Sequence, residues 1–226
     1  MKIRFLGHSG FEIKMKNHTL VFDPYISPNE LASHINLSEV QPDFVLLTHG
    51  HGDHIADAEQ LSKDNDALCI SNYEVINWLG AKGVKGHPLN HGGKKEFAFG
   101  TAKYVNAIHT SSFPDGTYAG NPGGFVIWDD EICFYHAGDT ALTLDMKLIP
   151  LTCPKLDFAI LPIGDNFTMG YEDAAIAADY IDCPKIIGCH FTTFAPITID
   201  LEKAKEAFKN RGKELILLEI GDSIEM

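Results

Sequence analysis

Long hydrophobic runs are missing from this sequence of 226 residues. Its longest apolar stretches, such as Phe158–Ile163, are far shorter than the ~20 residues that a membrane-spanning helix needs. The opening residues also lack the extended apolar region of a secretory signal peptide. We therefore expect a soluble, cytoplasmic protein that does not have a membrane as a partner.

Positive charge is scarce as well. The chain has 18 lysine and arginine residues against 31 aspartate and glutamate residues, which gives a formal net charge of −13. No basic run is longer than the pair Lys94–Lys95. Proteins that bind nucleic acid usually carry basic patches that neutralise phosphates. Nucleic acid is therefore not an expected partner.

Paired cysteines are also absent. The five cysteines are scattered, and none has the C-x-x-C spacing typical of structural zinc sites or redox motifs. An odd, unpatterned set argues against a disulfide framework. We therefore expect reduced and mostly buried thiols at Cys69, Cys133, Cys153, Cys183 and Cys189.

What the chain does contain is a series of short apolar runs from end to end. With 45% hydrophobic residues it can fill a real core, and no linker or repeat divides it, so we expect one domain over residues 1–226. Runs of strand length, rich in Val, Ile and Phe, are interspersed with helical patterns. We predict strands near 2–6, 10–15, 19–22, 44–48, 67–70, 102–108, 125–128, 132–135, 158–162, 185–189 and 215–219, and helices near 54–63, 73–82, 142–151, 171–181 and 200–210.

The order of these elements narrows the fold class. The first third of the chain reads as consecutive strands, and the remainder mixes strands with helices. A doubly wound parallel sheet would alternate strands and helices throughout. The pattern therefore favours a layered α/β sandwich.

The strongest local signal is the segment Thr48–His54, which has the sequence T-H-G-H-G-D-H and follows an apolar strand. Gly50 allows the rings of His49 and His51 to converge on one ion, and Asp53 and His54 can reach a second ion nearby. Imidazole and carboxylate ligands suit zinc, iron or manganese at catalytic sites. Solvated histidines at a helix N-terminus are the alternative interpretation.

Metal-binding residue types also follow three later strands. His109, Asp139 and His190 each come shortly after an apolar run. Each of them alone is more often a packed or surface residue than a ligand. Together with the 49–54 segment, however, they supply a carboxylate able to bridge two ions and one more imidazole for each ion.

In order and spacing these residues resemble those of the metallo-β-lactamase superfamily. The segments Gly7–Phe11, Tyr135–Thr140 and Pro162–Met169 are more narrowly similar to a bacterial and archaeal branch of metal-dependent hydrolases related to L-ascorbate-6-phosphate lactonase. The resemblance covers essentially the whole chain. It implies an α/β fold, a four-layer αββα sandwich of two mixed β-sheets, with a dinuclear metal site at one edge between the sheets.

The resemblance also implies a ligand set and its cofactors. The cofactors are two divalent metal ions, with Zn²⁺ expected and Mn²⁺, Ni²⁺ or Fe²⁺ as alternatives. Carried over residue by residue, the ligands are His49, His51 and His109 for the first ion, Asp53, His54 and His190 for the second, and Asp139 as the bridge between them.

Two stretches depart from the pattern of this branch. His91 stands where an aliphatic residue or proline is more usual, and the run 190–194 is H-F-T-T-F rather than H-Y-N-T-F. Neither change touches the implied metal ligands. The substrate preference of the branch is therefore less transferable than its metal site.

Four further residues are candidates for roles around the metals. Asp23 can accept a hydrogen bond from the second nitrogen of a ligand histidine, although a plain turn aspartate before proline is the alternative. His8, in a glycine-flanked turn, can contact substrate or donate a proton, as against a purely structural role. Asn166 and Thr168 can donate hydrogen bonds to a developing oxyanion.

These features together predict a metal-dependent hydrolase. Hydroxide held between the two ions would attack a small ester, lactone or phosphoester, and Asp53 or His8 would pass a proton to the leaving group. Three alternatives stay open: a metal-dependent phosphodiesterase or ribonuclease, a mononuclear iron oxygenase on the same ligands, and a non-enzymatic metal-binding protein. The expected partner is a small-molecule substrate, and a homo-oligomer is left open.

Overall fold

The computed structural model describes all 226 residues, which divide into two compact units. Unit 1 comprises residues 1–90, 110–122 and 218–226, and unit 2 comprises residues 91–109 and 123–217. Because each unit combines separate stretches of the chain, no single position in the sequence divides one unit from the other.

The elements are numbered in chain order through both units. The strands are β1 (Lys2–Gly7), β2 (Gly10–Met15), β3 (His18–Phe22), β4 (Phe44–Leu46), β5 (Leu68–Ser71), β6 (Gly86–Pro88), β7 (Lys94–Phe97), β8 (Gly100–Asn106), β9 (Gly123–Trp128), β10 (Cys133–His136), β11 (Phe158–Pro162), β12 (Lys185–Cys189), β13 (Glu214–Ile216) and β14 (Ser223–Glu225). The α-helices are α1 (Gly52–Ile55), α2 (Ala58–Asp64), α3 (Tyr73–Gly80), α4 (Ile149–Thr152), α5 (Tyr171–Tyr180) and α6 (Leu201–Lys209).

Unit 1 is built on a seven-stranded mixed sheet in the order β14-β1-β2-β3-β4-β5-β6. Strands β1 to β3 form an antiparallel meander, and β3 to β6 run parallel. Helices α2 and α3 bury Leu61 and Leu79 in one apolar core with Val45 of β4. Because β1, β3 and β4 point the same way, their C-terminal ends lie at one edge of this sheet.

Unit 2 contains the second seven-stranded mixed sheet, in the order β13-β12-β11-β10-β9-β8-β7. Strands β7 to β10 are antiparallel neighbours, and β10 to β13 run parallel. Helices α5 and α6 contribute Ala178 and Phe208 to a core with Ile186 of β12. Strands β8, β10 and β12 have the same direction, so their C-terminal ends also share one edge.

Helix α5 illustrates how the sequence specifies this packing. Glu172 and Asp173 lie in its first turn, where the positive end of the helix dipole favours acidic side chains. The small residues Ala174 and Ala178 are fully buried in the core of unit 2. Small side chains on that face let the helix approach the sheet closely, as the alanine pattern predicts.

The predicted strands are all present, although several begin or end a few residues away. Three short strands, β6, β7 and β14, were not predicted. Each of them is an outermost strand of its sheet and pairs with a neighbouring strand on one side only. Edge strands are defined by backbone pairing and are often polar, so they show little of the apolar pattern that marks a central strand.

Two of the predicted helices are interrupted. The helix predicted over 54–63 is divided into α1 and α2 at Asp57, whose carboxylate accepts hydrogen bonds from the backbone N–H groups of Ile26 and Ser27 at 2.7 and 2.9 Å. The helix predicted over 142–151 is a 3₁₀ turn, Leu144–Leu148, followed by α4 with proline in its first turn. The longest helix has ten residues, and no helix has the length and apolar character needed to cross a membrane.

The cysteines are free thiols, and all except Cys153 are buried. Burial raises the pKa of Cys133 to about 12 and that of Cys183 to about 11. Both thiols are therefore protonated at neutral pH and do not supply thiolate ligands to a metal. The expectation of mostly buried cysteines is confirmed.

Candidate metal centre

The predicted site residues of unit 1 lie at the edge where β1, β3 and β4 end. His8 occupies the turn after β1, Asp23 directly follows β3, and the 49–54 segment follows β4. The backbone places them there because parallel strands end at the same side of a sheet. Residues that are far apart in the sequence are thereby brought together within one unit.

Two of these residues have a left-handed backbone conformation that non-glycine residues seldom adopt. The φ angle is +56° at His8 and +39° at Asp23. Such a conformation costs roughly 1–3 kcal/mol and persists only where the surrounding structure holds it. Both side chains are fully or almost fully buried. The fold therefore holds these two side chains inside the edge of the sheet at an energetic cost.

Asp23 is the centre of a buried hydrogen-bond network. Its Oδ1 accepts the backbone N–H of Thr48 at 2.8 Å. Its Oδ2 accepts the hydroxyl of Thr48 at 2.7 Å and Nδ1 of His54 at 2.9 Å. A buried carboxylate needs such donors, because an uncompensated charge in the interior is very costly. Asp23 is thus more than a turn residue: it positions both Thr48 and His54.

This network also determines which nitrogen of each ring carries the proton. A carboxylate accepts only, so His54 must be protonated on Nδ1, and Nε2 is the nitrogen that would coordinate an ion. Thr48 gives its single hydroxyl proton to Asp23, so at 3.0 Å from His49 Nδ1 its oxygen must accept. His49 is therefore also protonated on Nδ1. Both histidines are held in the tautomer that presents Nε2 as a metal ligand.

His49 and His51 bring two ring nitrogens together. Nε2 of His49 lies 3.0 Å from Nδ1 of His51. Gly50 between them is required for packing: a Cβ atom there would lie 2.2 Å from the Cβ of Ala119. The backbone N–H of Gly50 donates to the hydroxyl of Ser111 at 3.2 Å. The glycine therefore lets the loop lie against the 110–122 segment.

His8 and Asp53 form the other pair in unit 1. Nε2 of His8 is 3.1 Å from Oδ2 of Asp53, with the histidine side chain fully buried and the aspartate side chain 30% exposed. The ring of Tyr25 packs edge-on against the ring of His8, with centroids 5.7 Å apart. Partial burial raises the pKa of the Tyr25 hydroxyl, and the nearby negative charge of Asp53 raises this pKa further. Its hydroxyl is therefore a neutral donor at physiological pH.

In unit 2 the three remaining predicted ligands form a second cluster. His190 directly follows β12 with a φ angle of +53°, and Asp139 follows β10 after a short turn. Nε2 of His190 lies 3.0 Å from Oδ2 of Asp139, and Nε2 of His109 lies 3.5 Å from the same oxygen. All three side chains are largely or fully buried. One carboxylate oxygen thus faces two imidazoles.

Thr140 joins the segments that carry this second cluster. Its hydroxyl accepts the backbone N–H of Ile108 at 3.0 Å, and the N–H of Ala141 donates to the carbonyl of Ile108 at 3.0 Å. These two bonds tie the chain just before His109 to the chain just after Asp139. Hydrogen bonds to the backbone, as well as side-chain packing, therefore hold His109 and Asp139 in their relative positions.

The predicted substrate-binding residues are placed differently. Asn166 and Thr168 lie in the loop between β11 and α5, where Asn166 is exposed. The hydroxyl of Thr168 donates to the carbonyl of Met169 at 3.2 Å. Neither side chain forms a hydrogen bond with a predicted metal ligand. Their role in binding an oxyanion stays a prediction.

Several residues around these clusters were not singled out from the sequence. Thr48 and Thr140 precede or follow predicted ligands directly, and this adjacency was the available signal. Tyr25 and Ser111 had no such signal, because only the folded chain brings them to the clusters. Side chains that act through hydrogen bonds to a ligand are therefore the part of a site that sequence patterns miss most easily.

The donor set fits divalent metal ions. In unit 1 the ligand atoms of His8, Asp53 and His54 all lie within 4.8 Å of one another, as do those of His49 and His51. Neutral imidazole and carboxylate are the ligands of catalytic zinc, iron and manganese sites. The buried carboxylate behind two of the imidazoles matches the supporting shell that such sites require.

Replacing Asp23 with asparagine tests this supporting role. Asparagine tolerates the left-handed backbone, but it removes the negative charge that holds the protons on His49 and His54. We expect the affinity for Zn²⁺, measured by competition with a chromophoric chelator, to fall ~10–100-fold. Asp43→Asn is the matched control, because Asp43 is an exposed aspartate at another strand end of unit 1. Equal affinities for the two variants would exclude the role assigned to Asp23.

Comparison with known proteins identifies the family. The model of the beta-lactamase superfamily domain matches residues 2–190. A UPF0173 metal-dependent hydrolase of Christiangramia forsetii is 54% identical over 227 residues, which cover 100% of both chains. The UPF0173 metal-dependent hydrolase YtkL of Bacillus subtilis is 40% identical over 232 residues, again covering 100% of both chains.

A solved structure gives the same result. Igni18, a metallo hydrolase from the archaeon Ignicoccus hospitalis, superposes with a TM-score of 0.89 at 31% identity, over 99% of this chain and 97% of that one. The predicted fold class is therefore confirmed, with two mixed sheets and their helices. The chain belongs to the β-lactamase superfamily and, within it, to the UPF0173 metal-dependent hydrolases.

Proposed function

We propose that the protein hydrolyses a small ester, lactone or phosphoester with two divalent metal ions, Zn²⁺ being the expected metal. The proposed ligands are His49, His51 and His109 for one ion, Asp53, His54 and His190 for the other, and Asp139 between them.

The observation that carries this proposal is the common tautomer of His49 and His54. A buried aspartate and a threonine hold both rings with Nδ1 protonated. This tautomer leaves Nε2 of both rings available as a ligand atom, which is the arrangement that coordination of a metal ion by these two histidines requires. Membership of a metal-dependent hydrolase family supports the same interpretation.

The residues of the chain have distinct tasks in this proposal. Bound ions supply Lewis acidity and lower the pKa of water toward neutrality. Asp53 and His8, joined at 3.1 Å, hold a proton between them and pass it to the leaving group. Tyr25, beside His8 and uncharged, orients that imidazole and donates a hydrogen bond toward the substrate.

The overall charge favours a small substrate over a polynucleotide. The net charge of −13 repels a phosphate backbone. A compact ester, lactone or phosphoester has at most a few negative charges, which two cations would neutralise. A phosphodiesterase or ribonuclease of this family would need a basic surface that the sequence does not supply.

The proposal is tested by counting metal ions and measuring turnover on one preparation. We expect elemental analysis, after dialysis against Zn²⁺ and removal of free metal, to give two ions per chain. We also expect hydrolysis of at least one of p-nitrophenyl acetate, γ-butyrolactone and p-nitrophenyl phosphate, lost with chelator and restored by metal. One ion per chain at saturation would refute the dinuclear site. Turnover that survives complete metal removal would refute metal-dependent chemistry.

A further inference from the structure

A cavity of about 260 Å³ is lined only by residues of unit 2, and none of the proposed metal ligands is among them. It opens between β8, the turn at His91–Gly92 and the segment Asp145–Thr152. Pockets for drug-sized ligands usually measure ~300–1,000 Å³. At the ~30 Å³ that one water molecule occupies in the liquid, this cavity has room for about nine non-hydrogen atoms. Its size therefore suits a metabolite smaller than a nucleotide or a sugar phosphate.

The walls of the cavity are held in place by hydrogen bonds. The N–H of Gly92 donates to the carbonyl of Tyr104 at 2.8 Å, and the N–H of Tyr104 donates to the carbonyl of Gly93 at 3.0 Å. Across the opening, the amide of Asn106 donates to Oδ2 of Asp145 at 2.6 Å. The turn and the 145–152 segment are thus both anchored to β8. A ligand would meet a preformed cavity and would not have to order it.

One part of the lining is apolar. Val105 of β8 faces Leu148 and Ile149 of the 145–152 segment in this cavity. Ile149 is buried, whereas Leu148 is 54% exposed. A ligand that covers the exposed side chain of this leucine removes apolar surface from water, which favours binding. This wall therefore suits an aliphatic side chain.

The other part of the lining carries two opposite charges. Lys103 and Asp145 both line the cavity, yet neither forms an ion pair with the other or with any other residue. Lys94 pairs directly with Lys103 across β7 and β8, so the two lysines lie on the same face of the sheet and strengthen the positive potential there. A ligand with one negative and one positive group would satisfy Lys103 and Asp145 together. A simple anion would be repelled by Asp145, and a simple cation by Lys103.

We propose that this cavity binds a small aliphatic zwitterion, an α-amino acid of about the size of leucine. The ligand carboxylate faces Lys103, its ammonium faces Asp145, and its side chain packs on Val105 and Leu148. This inference goes beyond the hydrolase function and does not depend on it, because all of its residues lie in unit 2 outside the metal ligands. His91, which departs from the branch pattern, also lines this cavity.

Direct titration of the full-length protein tests the ligand class. L-leucine is compared with 4-methylpentanoate and 3-methylbutylamine, which keep the side chain and only one of its charges. We expect leucine to bind at millimolar concentration or below, and each single-charge compound to bind ~10-fold or more weakly, as charged hydrogen bonds are lost. Isothermal calorimetry or amide chemical shifts of residues 103–106 and 145–152 provide the readout. Absence of leucine binding, or binding of 4-methylpentanoate as tight as that of leucine, would overturn the proposal.

Variants of the protein assign each charge to one end of the ligand. We expect Lys103→Met and Asp145→Asn each to weaken leucine binding ~10-fold or more. Asp145→Asn retains an oxygen acceptor for Asn106, so the wall should stay in place, and circular dichroism checks its fold. Lys95→Met is the matched control, because Lys95 of β7 pairs with Ala102 and therefore projects from the opposite face of the sheet to Lys103. A Lys95→Met variant that loses as much affinity as Lys103→Met would show non-specific attraction and refute the site.

Discussion

Replacing His49 with alanine should remove one of the two metal ions and lower kcat/KM by ~10⁴-fold or more, the loss typical of deleting one member of a catalytic unit. His49 lies at the end of the Asp23–Thr48 network, and alanine leaves that network without the ring it orients. Elemental analysis and turnover on the same preparation measure the two effects. Because a site filled in the folded state stabilises it, the Tm in excess Zn²⁺ should also fall relative to the wild type.

His34→Ala provides the control for this experiment. His34 is exposed, and its ring nitrogen contacts the carbonyl of Ile220 at 2.9 Å, away from the predicted ligands. Its removal should leave two ions per chain and near-wild-type turnover. A His49→Ala protein that keeps two ions and full activity would exclude His49 as a ligand.

Replacing His8 with glutamine should lower kcat by ~10²–10⁴-fold, the usual contribution of a general acid, while both metal ions stay bound. Glutamine can still hydrogen-bond to Asp53 but cannot carry a proton at neutral pH. In the wild type, kcat should fall at high pH as the general acid loses its proton. In the variant this fall should be absent. Stopped-flow or steady-state rates from pH 5 to 9, on metal-replete protein, provide the measurement.

Two outcomes would contradict the role of His8 in different ways. If the variant contains fewer metal ions, His8 is a ligand, since its ring nitrogen lies within 4.8 Å of those of Asp53 and His54. If the ions stay bound and kcat is unchanged, His8 is structural. Thermal unfolding separates either result from simple misfolding, which the left-handed backbone at position 8 makes a necessary check.

Local spacing was sufficient to predict much of this protein. The T-H-G-H-G-D-H segment after an apolar strand indicated metal chemistry, because those side chains have to lie close together whatever the rest of the fold. The central strands and helices α3, α5 and α6 followed from their periodicity. The superfamily was identified from the order of these motifs, and the family comparison confirmed it.

Tertiary structure decided the features that depend on contacts between distant residues. Asp57, at the break between α1 and α2, accepts the backbone N–H groups of Ile26 and Ser27, a tertiary contact that helical periodicity does not predict. The tautomers of His49 and His54 depend on where Asp23 and Thr48 direct their bonds. The edge strands exist only through pairing with a neighbouring strand.

The cavity of unit 2 shows most clearly that contacts between distant residues cannot be predicted from the sequence. Lys103 and Asp145 are far apart in the sequence, and nothing in their spacing relates them. The folded chain places Lys103 and Asp145 in the lining of one cavity without pairing them. Sequence determined which chemical groups the protein has and which short elements they lie on. Only the fold decided which groups share a site, because hydrogen bonds, burial and charge pairing act through space and not along the chain.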